Sequence, residues 1–261
     1  MEEARVALVT GASRGIGRGV AIALGAEGWT VWVTGRSTRA HSTSHLPGTV
    51  EDTADAVTGA GGRGIAAVCD HRDDDQVRDV LSRIPELHLL VNNAWAGYER
   101  LNAGAWQEWN APFWEQPLEL WDAMFASGVR AHYVTTALAA PQLIKAKGTV
   151  VTVSMEAGAE HKKHFGVAYS VAKAAQDRFA LATSTALAEH GVASVALHPG
   201  LVRTEGVMQF AEHLDLTGSQ SPEGVGRVIA ALAVDHERTS LTGKAISVDE
   251  LAERYGVEVN V

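Results

Sequence analysis

Tyr169 and Lys173 stand four residues apart in a stretch with helical periodicity, which places a phenol and an ammonium on one face. A free tyrosine has a pKa of about 10, too high for a base near neutrality, and each unit of lowering takes about 1.4 kcal/mol. An ammonium about 5 Å away at an effective dielectric near 20 supplies roughly 3 kcal/mol, equivalent to about two units. Such a pair suits proton transfer to a forming alkoxide, or from an alcohol in the reverse direction. The spacing alone also fits a surface tyrosine above an unrelated lysine. Its position along the chain favours chemistry: it follows a strand-like run ending in Ser154 and precedes another that leads to Pro199-Gly200.

A second constellation is the string Thr10 to Gly17, TGASRGIG, directly after the first strand-like run and at the start of the first helical one. Glycines there let the backbone turn sharply and approach a pyrophosphate, and a helix N-terminus offers free N–H groups with a positive dipole end. The spacing is Gly-x-x-x-Gly-x-Gly rather than the Gly-x-Gly-x-x-Gly of the general dinucleotide fingerprint. A ligand-free glycine turn is the alternative.

The elements that must position these groups alternate strictly. Strand-like runs cover Arg5 to Val9, Thr30 to Thr34, Gly64 to Cys69, Leu87 to Val91, Gly148 to Ser154, Val192 to Leu197 and Lys244 to Val248. Helical patterns cover Ile16 to Gly25, Glu51 to Thr58, Asp73 to Ile84, Leu118 to Ile144, Ala168 to Glu189 and Pro222 to Val234. Strand and helix in turn predict an α/β fold, a doubly wound Rossmann-type parallel sheet of about seven strands with helices on both faces. The whole chain, 1–261, is expected to be one domain, with a long irregular connection over about 200–221 as a substrate loop. Residues Ala94 to Pro117 carry Trp95, Trp106, Trp109 and Trp114 with Tyr98 and Phe113; these rings either line a substrate cleft or pack as core or subunit contact.

Composition excludes other classes. A net charge of −9 argues against a nucleic-acid surface, which needs clustered Lys and Arg. The single cysteine, Cys69, has no disulfide partner within the chain, and no apolar run reaches membrane-spanning length, so no membrane partner and a cytoplasmic location are expected. The best histidine pairs, His161-x-x-His164 and His41-x-x-x-His45, lack further ligands in a recognised metal spacing, and no metal is expected.

The chain resembles the short-chain dehydrogenase/reductase family, whose cofactor motif is Thr-Gly-x-x-x-Gly-x-Gly. Asn92-Asn93-Ala94, Tyr169-x-x-x-Lys173 and Pro199-Gly200 followed by Thr204 match its later landmarks. TGASRGIGRG, VNNAWAG, Phe113, Trp121 and the terminal ELAERYG are similar to one branch, the dehydrogenase/reductase family member 1 type. The resemblance implies hydride transfer between a nicotinamide and a carbonyl or alcohol carbon, a homodimer or homotetramer, and steroid or xenobiotic carbonyls as the substrate class. It implies cofactor contacts at Gly11, Ser13, Arg14, Gly15, Ile16, Gly17, Asp70, Asn93, Ala94, Pro199, Gly200, Val202 and Thr204, with Lys173 also on the nicotinamide ribose. Asn92 is read as structural. Asp70 has an alternative as the cap of the helix near Asp73.

Cofactor preference follows from the second strand, which runs Thr34-Gly35-Arg36 without the acidic residue that holds ribose hydroxyls in NAD-preferring relatives. A guanidinium grips a 2′-phosphate where a carboxylate would repel it. Arg36 is the first candidate, Arg14 the second, and Ser37 a hydroxyl donor, so NADP(H) is preferred over NAD(H).

Two positions depart from the family pattern. Relatives place a polarising serine about thirteen residues before the tyrosine; here Ser154 lies fifteen before, Met155 follows it and Glu156 stands at thirteen. Ser154 is the expected third catalytic residue, with the Gly158 to Gly166 segment absorbing the extra length. Relatives also carry an asparagine that holds a relay water in the helix after Trp121-Asp122, and that place falls on Gly128, which has no side chain to bind one. The expected function is reduction of a bulky apolar ketone or aldehyde. The alternatives are an NADP(H)-binding regulatory module with little turnover and an enoyl-type reductase.

Overall fold

The computed structural model describes residues 5–98, 111–156 and 166–260. Seven parallel strands form one sheet in the order β3-β2-β1-β4-β5-β6-β7: β1 Val6–Val9, β2 Thr30–Gly35, β3 Arg63–Val68, β4 Leu89–Asn92, β5 Thr149–Val153, β6 Ala193–His198 and β7 Ala245–Ser247. Neighbouring strands run in register, Ala7 beside Val31 and Leu89, and Val91 beside Val151. Alternate residues face opposite layers. Ala7, Val9, Val31, Val33, Leu89 and Val91 join one buried cluster, and Leu8, Trp32, Leu90 and Val150 join another on the far side. Burial on both faces is why these runs are continuously apolar.

The connecting helices are α1 Gly15–Ala26, α2 Val50–Gly59, α3 Asp74–Ser82, α4 Leu118–Phe125, α5 Ala131–Ala146, α6 Val167–Leu187, α7 Glu205–Met208, α8 Pro222–Val234 and α9 Val248–Tyr255. Several starts are fixed by side-chain caps: Thr49 accepts from the Asp52 N–H, Asp73 from those of Asp75 and Gln76, and Ser221 from that of Gly224. α1 and α8 approach closely enough that a Cβ at Gly19 would fall 2.2 Å from the Pro222 carbonyl carbon.

Three differences from the sequence reading stand out. The helix expected over Leu118 to Ile144 is α4 and α5 joined by a π turn, Ala126–Arg130, with Gly128 at its centre. The last strand ends at Ser247, whose hydroxyl accepts from the Glu250 N–H and starts α9, a helix that went unread because Val248 continued an apolar run. The connection over 200–221 is closed at its base: Gln220 N–H donates to the Leu201 carbonyl and Arg203 N–H to that of Gln220, so the segment between is a tied loop.

Candidate active site

The sheet order reverses between β1 and β4, and open α/β sheets bind ligands in the crevice beyond the strand ends at such a point. Thr10, at the end of β1, ties the two strands together there. Its hydroxyl donates to the Val91 carbonyl (3.2 Å) and accepts from the N–H groups of Asn93 and Ala94 (2.9 Å each). The Asn93 amide donates to the carbonyls of Thr10 (2.9 Å) and Gly11 (3.1 Å). Gly11 and Gly15 take φ of +64° and +58°, and a Cβ at Gly11 would lie 2.9 Å from Ala94 Cα. The glycine turn is thus locked open by its neighbours, with the α1 N-terminus pointing into the crevice.

A cavity of about 690 Å³ starts at this turn and runs to the helix that carries Tyr169. It is lined by Gly11, Ser13, Arg14, Gly15, Ile16, Arg36, Ser37, Asp70, Asn93, Ala94, Ser154, Tyr169, Lys173, Pro199, Gly200, Val202 and Thr204. Of the expected cofactor contacts and catalytic residues, Gly17 alone lies off its wall: a Cβ there would meet Asn93 Nδ2 at 2.5 Å, so its smallness lets α1 seat against the end of β4. The long glycine-walled cleft, the α1 N-terminus and the arginines at one end fit a dinucleotide, on the donor set itself.

At the β2 end, the Arg14 guanidinium crosses the crevice to hold the segment after β2. It donates to Ser37 Oγ (3.1 Å) and to the carbonyls of Pro47 (3.0 Å) and Gly48 (2.9 Å). Desolvation lowers its pKa, and the charge of Arg36 adds to that lowering. Arg36 acts on Asp70 as well, holding its carboxyl down behind the larger effect of the Arg72 hydrogen bonds. Asp70 is not a helix cap, since Asp73 caps α3.

At the other end, α6 begins at Val167 and carries Tyr169 and Lys173, both buried, into the cavity. The Tyr169 hydroxyl donates to Met155 Sδ at 3.0 Å, and Tyr98 donates a hydrogen bond to Tyr169 in turn. Burial pushes the Tyr169 phenol up to about 12, against the small opposing effect of Tyr98. Burial also pulls Lys173 down to about 7, partly offset by the Asp177 carboxylate. Spacing along α6 accounts only for the attraction between ammonium and phenolate. Desolvation, which disfavours both charged forms, is the larger effect on each group. Lys173 Nζ lies 5.6 Å from the Tyr169 ring centroid and 4.0 Å from that of Trp95.

Ser154 lines the cavity at the end of β5, with its hydroxyl donating to the Lys173 carbonyl (3.1 Å). The segment expected to absorb the longer spacing to Tyr169 falls largely at 157–165, outside the described residues, as do His161, His164, Trp106 and Trp109. Trp95 lines the cavity, whereas Phe113 and Trp114 are exposed and pack edge-on against each other. Asn92 is buried and donates to Thr136 Oγ1 (2.8 Å), which fits its structural reading.

A profile of the family described as short chain dehydrogenase matches residues 5–215. The chain belongs to the short-chain dehydrogenase family. It is 37% identical over 273 residues to mouse dehydrogenase/reductase SDR family member 1, covering 97% of this chain and 82% of the relative. The human protein of that name is 34% identical over the same shares. A solved short-chain type dehydrogenase/reductase from Mycobacterium marinum superposes with a TM-score of 0.77 at 25% identity, covering 93% of each chain. As a family member this dehydrogenase is an oxidoreductase that acts on CH–OH or C=O with NAD(P). Among the described residues, no helix is long and apolar enough to cross a membrane, and no group of three or more His, Cys, Asp or Glu could hold a metal.

Sequence reasoning missed four contributors to the dehydrogenase site. Tyr98 is one aromatic ring among several in the sequence, yet it hydrogen-bonds the Tyr169 phenol. Met155 stands in the sequence only as the residue after Ser154, yet its sulfur accepts from the Tyr169 phenol. Gln176 follows Lys173 by three and was readable as a polar residue on a buried helix face. Glu205 reaches the α1 N-terminus across 190 residues, where its Oε2 accepts from the Gly15 N–H at 2.8 Å. No local pattern announces that contact.

Proposed function

We propose that this dehydrogenase reduces a bulky apolar ketone or aldehyde with NADPH, with Tyr169 as proton donor, Lys173 beside it and Ser154 orienting the carbonyl. The carrying observation is that the phenol and the glycine turn share one continuous cavity. Ser13, Arg14, Gly15 and Ile16 would hold the phosphates, Asp70 the adenine end, and Asn93, Ala94, Lys173 and the Pro199 to Thr204 segment the nicotinamide end. Bound NADPH supplies the hydride.

The remaining work falls to the chain's own residues. Reduction requires a protonated phenol at the substrate oxygen, and burial keeps Tyr169 in that form throughout the neutral range. Met155 sulfur is a weak acceptor, so a substrate oxygen displaces it from the phenol at small cost. Once the proton has left, the Tyr98 hydroxyl and the Lys173 ammonium face the phenolate. Leu201, Val207, Phe210 and Leu214, from the tied loop, together with Trp95 and Met155, give the substrate end an apolar wall.

NADP preference rests on the β2 end. Arg36 follows Gly35 with no carboxylate at the strand terminus, and Ser37, Thr43 and Ser44 add hydroxyls to the same wall. One domain over the whole chain, a cytoplasmic location and a homodimeric or homotetrameric assembly belong to the same reading. A second reading, a cofactor-binding module with little turnover, is favoured by one observation: the Ser154 hydroxyl is committed to a backbone carbonyl rather than to the phenol.

The test is NADPH and NADH oxidation against a panel of bulky and small carbonyls, with cofactor binding followed by nicotinamide fluorescence. Tyr169→Phe is expected to lower turnover by roughly 10²- to 10⁴-fold with cofactor affinity retained. Tight NADPH binding without carbonyl-dependent oxidation, unchanged in Tyr169→Phe, would select the binding module instead.

A further inference from the structure

Lys173 is a buried ammonium with three N–H groups to satisfy. Among the described residues its short acceptor is Gln176 Oε1, at 3.0 Å; the Val153 carbonyl lies at 3.5 Å, and the Trp95 ring face is at 4.0 Å. Gln176, fully buried on the same face of α6, is itself fixed. Its Nε2 donates to the Gly128 carbonyl at 2.7 Å and lies 3.5 Å from His132 Nδ1. His132 Nε2 donates to the Ala94 carbonyl at 2.9 Å, leaving Nδ1 as the acceptor that the Gln176 amide faces. The chain ammonium, amide, carbonyl is closed, and it ties α6, which carries both Lys173 and Gln176, to the π turn at Gly128.

We infer that Gln176 is a positioning residue: its side-chain amide, braced on the Gly128 carbonyl, holds the Lys173 ammonium in place and in its charged form beside Tyr169. This rests on the reading that Tyr169 and Lys173 work as a pair. An amide in this place differs from a water in two ways. It is covalently fixed, so it sets the ammonium position without exchange. Its Oε1 accepts and its Nε2 donates in one orientation only, so it ties the charge to the protein without forming an open path to bulk water. The glycine at 128 belongs to the same arrangement, because a Cβ there would fall 2.4 Å from the Trp95 ring and 3.2 Å from Gln176 Nε2.

Every charged or titratable group around Lys173 bears on its protonation. Asp177, one turn further along α6, favours the ammonium and is paired with His198 of β6 at 3.0 Å. Tyr169 lies one turn before it, with Tyr98 behind. His132 of α5 is held neutral by burial, its pKa down to about 3. β5 contributes only the neutral Val153 carbonyl and Ser154. Against this background the amide oxygen is the near dipole that opposes desolvation, and a hydrogen bond to the charged form raises a lysine pKa.

The test uses the full chain labelled with ε-¹³C lysine, with the Lys173 resonance assigned by its loss in Lys173→Arg and titrated by NMR. Gln176→Leu, apolar and of similar size, should lower the Lys173 pKa by about one unit, and Gln176→Glu should raise it by about as much. In parallel, NADPH-linked reduction, which needs the ammonium, should lose rate with rising pH through the same titration, earlier in Gln176→Leu and later in Gln176→Glu. Should Gln176→Leu not fold, as judged by circular dichroism and cofactor binding, the Glu variant decides alone. Folded variants whose Lys173 titration does not move overturn the inference while leaving the enzyme reading intact. A wild-type chain that reduces no carbonyl sinks the proposed function, and the NMR titration still decides the hold of Gln176 on the ammonium.

Discussion

The Trp95 ring fills the volume that a side chain at position 128 would need, with its Cε3 and Cζ3 2.4 Å from where a Cβ would sit. The place where relatives carry an asparagine is therefore a glycine for a steric reason, and the same ring lies under the Lys173 ammonium. Gly128→Ala is expected to destabilise the fold by about 1–3 kcal/mol, as overpacking of a tight core does, and Gly128→Asn by more. Trp95→Ala opens the space, so the double variant Trp95→Ala/Gly128→Asn should cost less than the sum of its parts. Urea midpoints of the four proteins give the coupling, and strict additivity would show that the ring and the glycine are independent.

Tyr98 supplies the second prediction. By donating to Tyr169 it stabilises the phenolate, which lowers the Tyr169 pKa relative to a site without it. In Tyr98→Phe that pKa rises, making Tyr169 a weaker acid for reduction and leaving less phenolate for oxidation. A variant cannot alter the overall equilibrium, so kcat/KM must fall equally in both directions, by roughly tenfold for one hydrogen bond to a charged form. In alcohol oxidation the rate, which climbs with pH as the phenolate forms, should go on climbing to higher pH than in the wild type. Absent losses, or a pH profile for alcohol oxidation that does not move, would remove Tyr98 from the proton-transfer network.

The two arginines at the β2 end separate cleanly. Arg14 spends its guanidinium on Ser37 and on the carbonyls of Pro47 and Gly48, so Arg14→Ala should weaken NADPH and NADH together and loosen the segment after β2. Arg36 lines the cavity and acts electrostatically on both Arg14 and Asp70. Arg36→Asp should weaken NADPH roughly 10- to 100-fold more than NADH, the range of a hydrogen bond to a charged group. Fluorescence titrations with both nucleotides measure this, and equal losses would take Arg36 out of the 2′-phosphate site.

What sequence could and could not reveal follows from the range of the interactions. β1 to β6 and α1 were legible because each is a local apolar run with a local boundary, and the glycine turn because its spacing is confined to eight residues. The π turn at Gly128 was not, since the Trp95 ring packed against it lies 33 residues away in the chain and no local pattern marks the contact. The raised Tyr169 pKa was not either, because pair attraction can be computed from spacing while desolvation depends on what the rest of the chain packs around the pair. The motif marks Gly17 by spacing alone, whereas its packing against Asn93, where a Cβ would fall 2.5 Å from Nδ2, is long-range and leaves no local sign.

Glu205 carries the last prediction. Its carboxylate accepts from the Gly15 N–H at the start of α1, where the free N–H groups and the helix dipole favour an anion. The same end of the cleft is where a pyrophosphate would lie, so the carboxylate both occupies a donor and repels incoming negative charge. Glu205→Gln keeps an acceptor for Gly15 and removes the charge. NADPH should then bind about two- to fivefold more tightly, in line with about 0.5–1 kcal/mol for a partly exposed charge near a helix end. The gain should shrink at high salt, because a screened repulsion has less to lose. Weaker binding in Glu205→Gln, at either ionic strength, would mean that the charge braces the glycine turn through Gly15 and Arg14 instead of competing with the ligand.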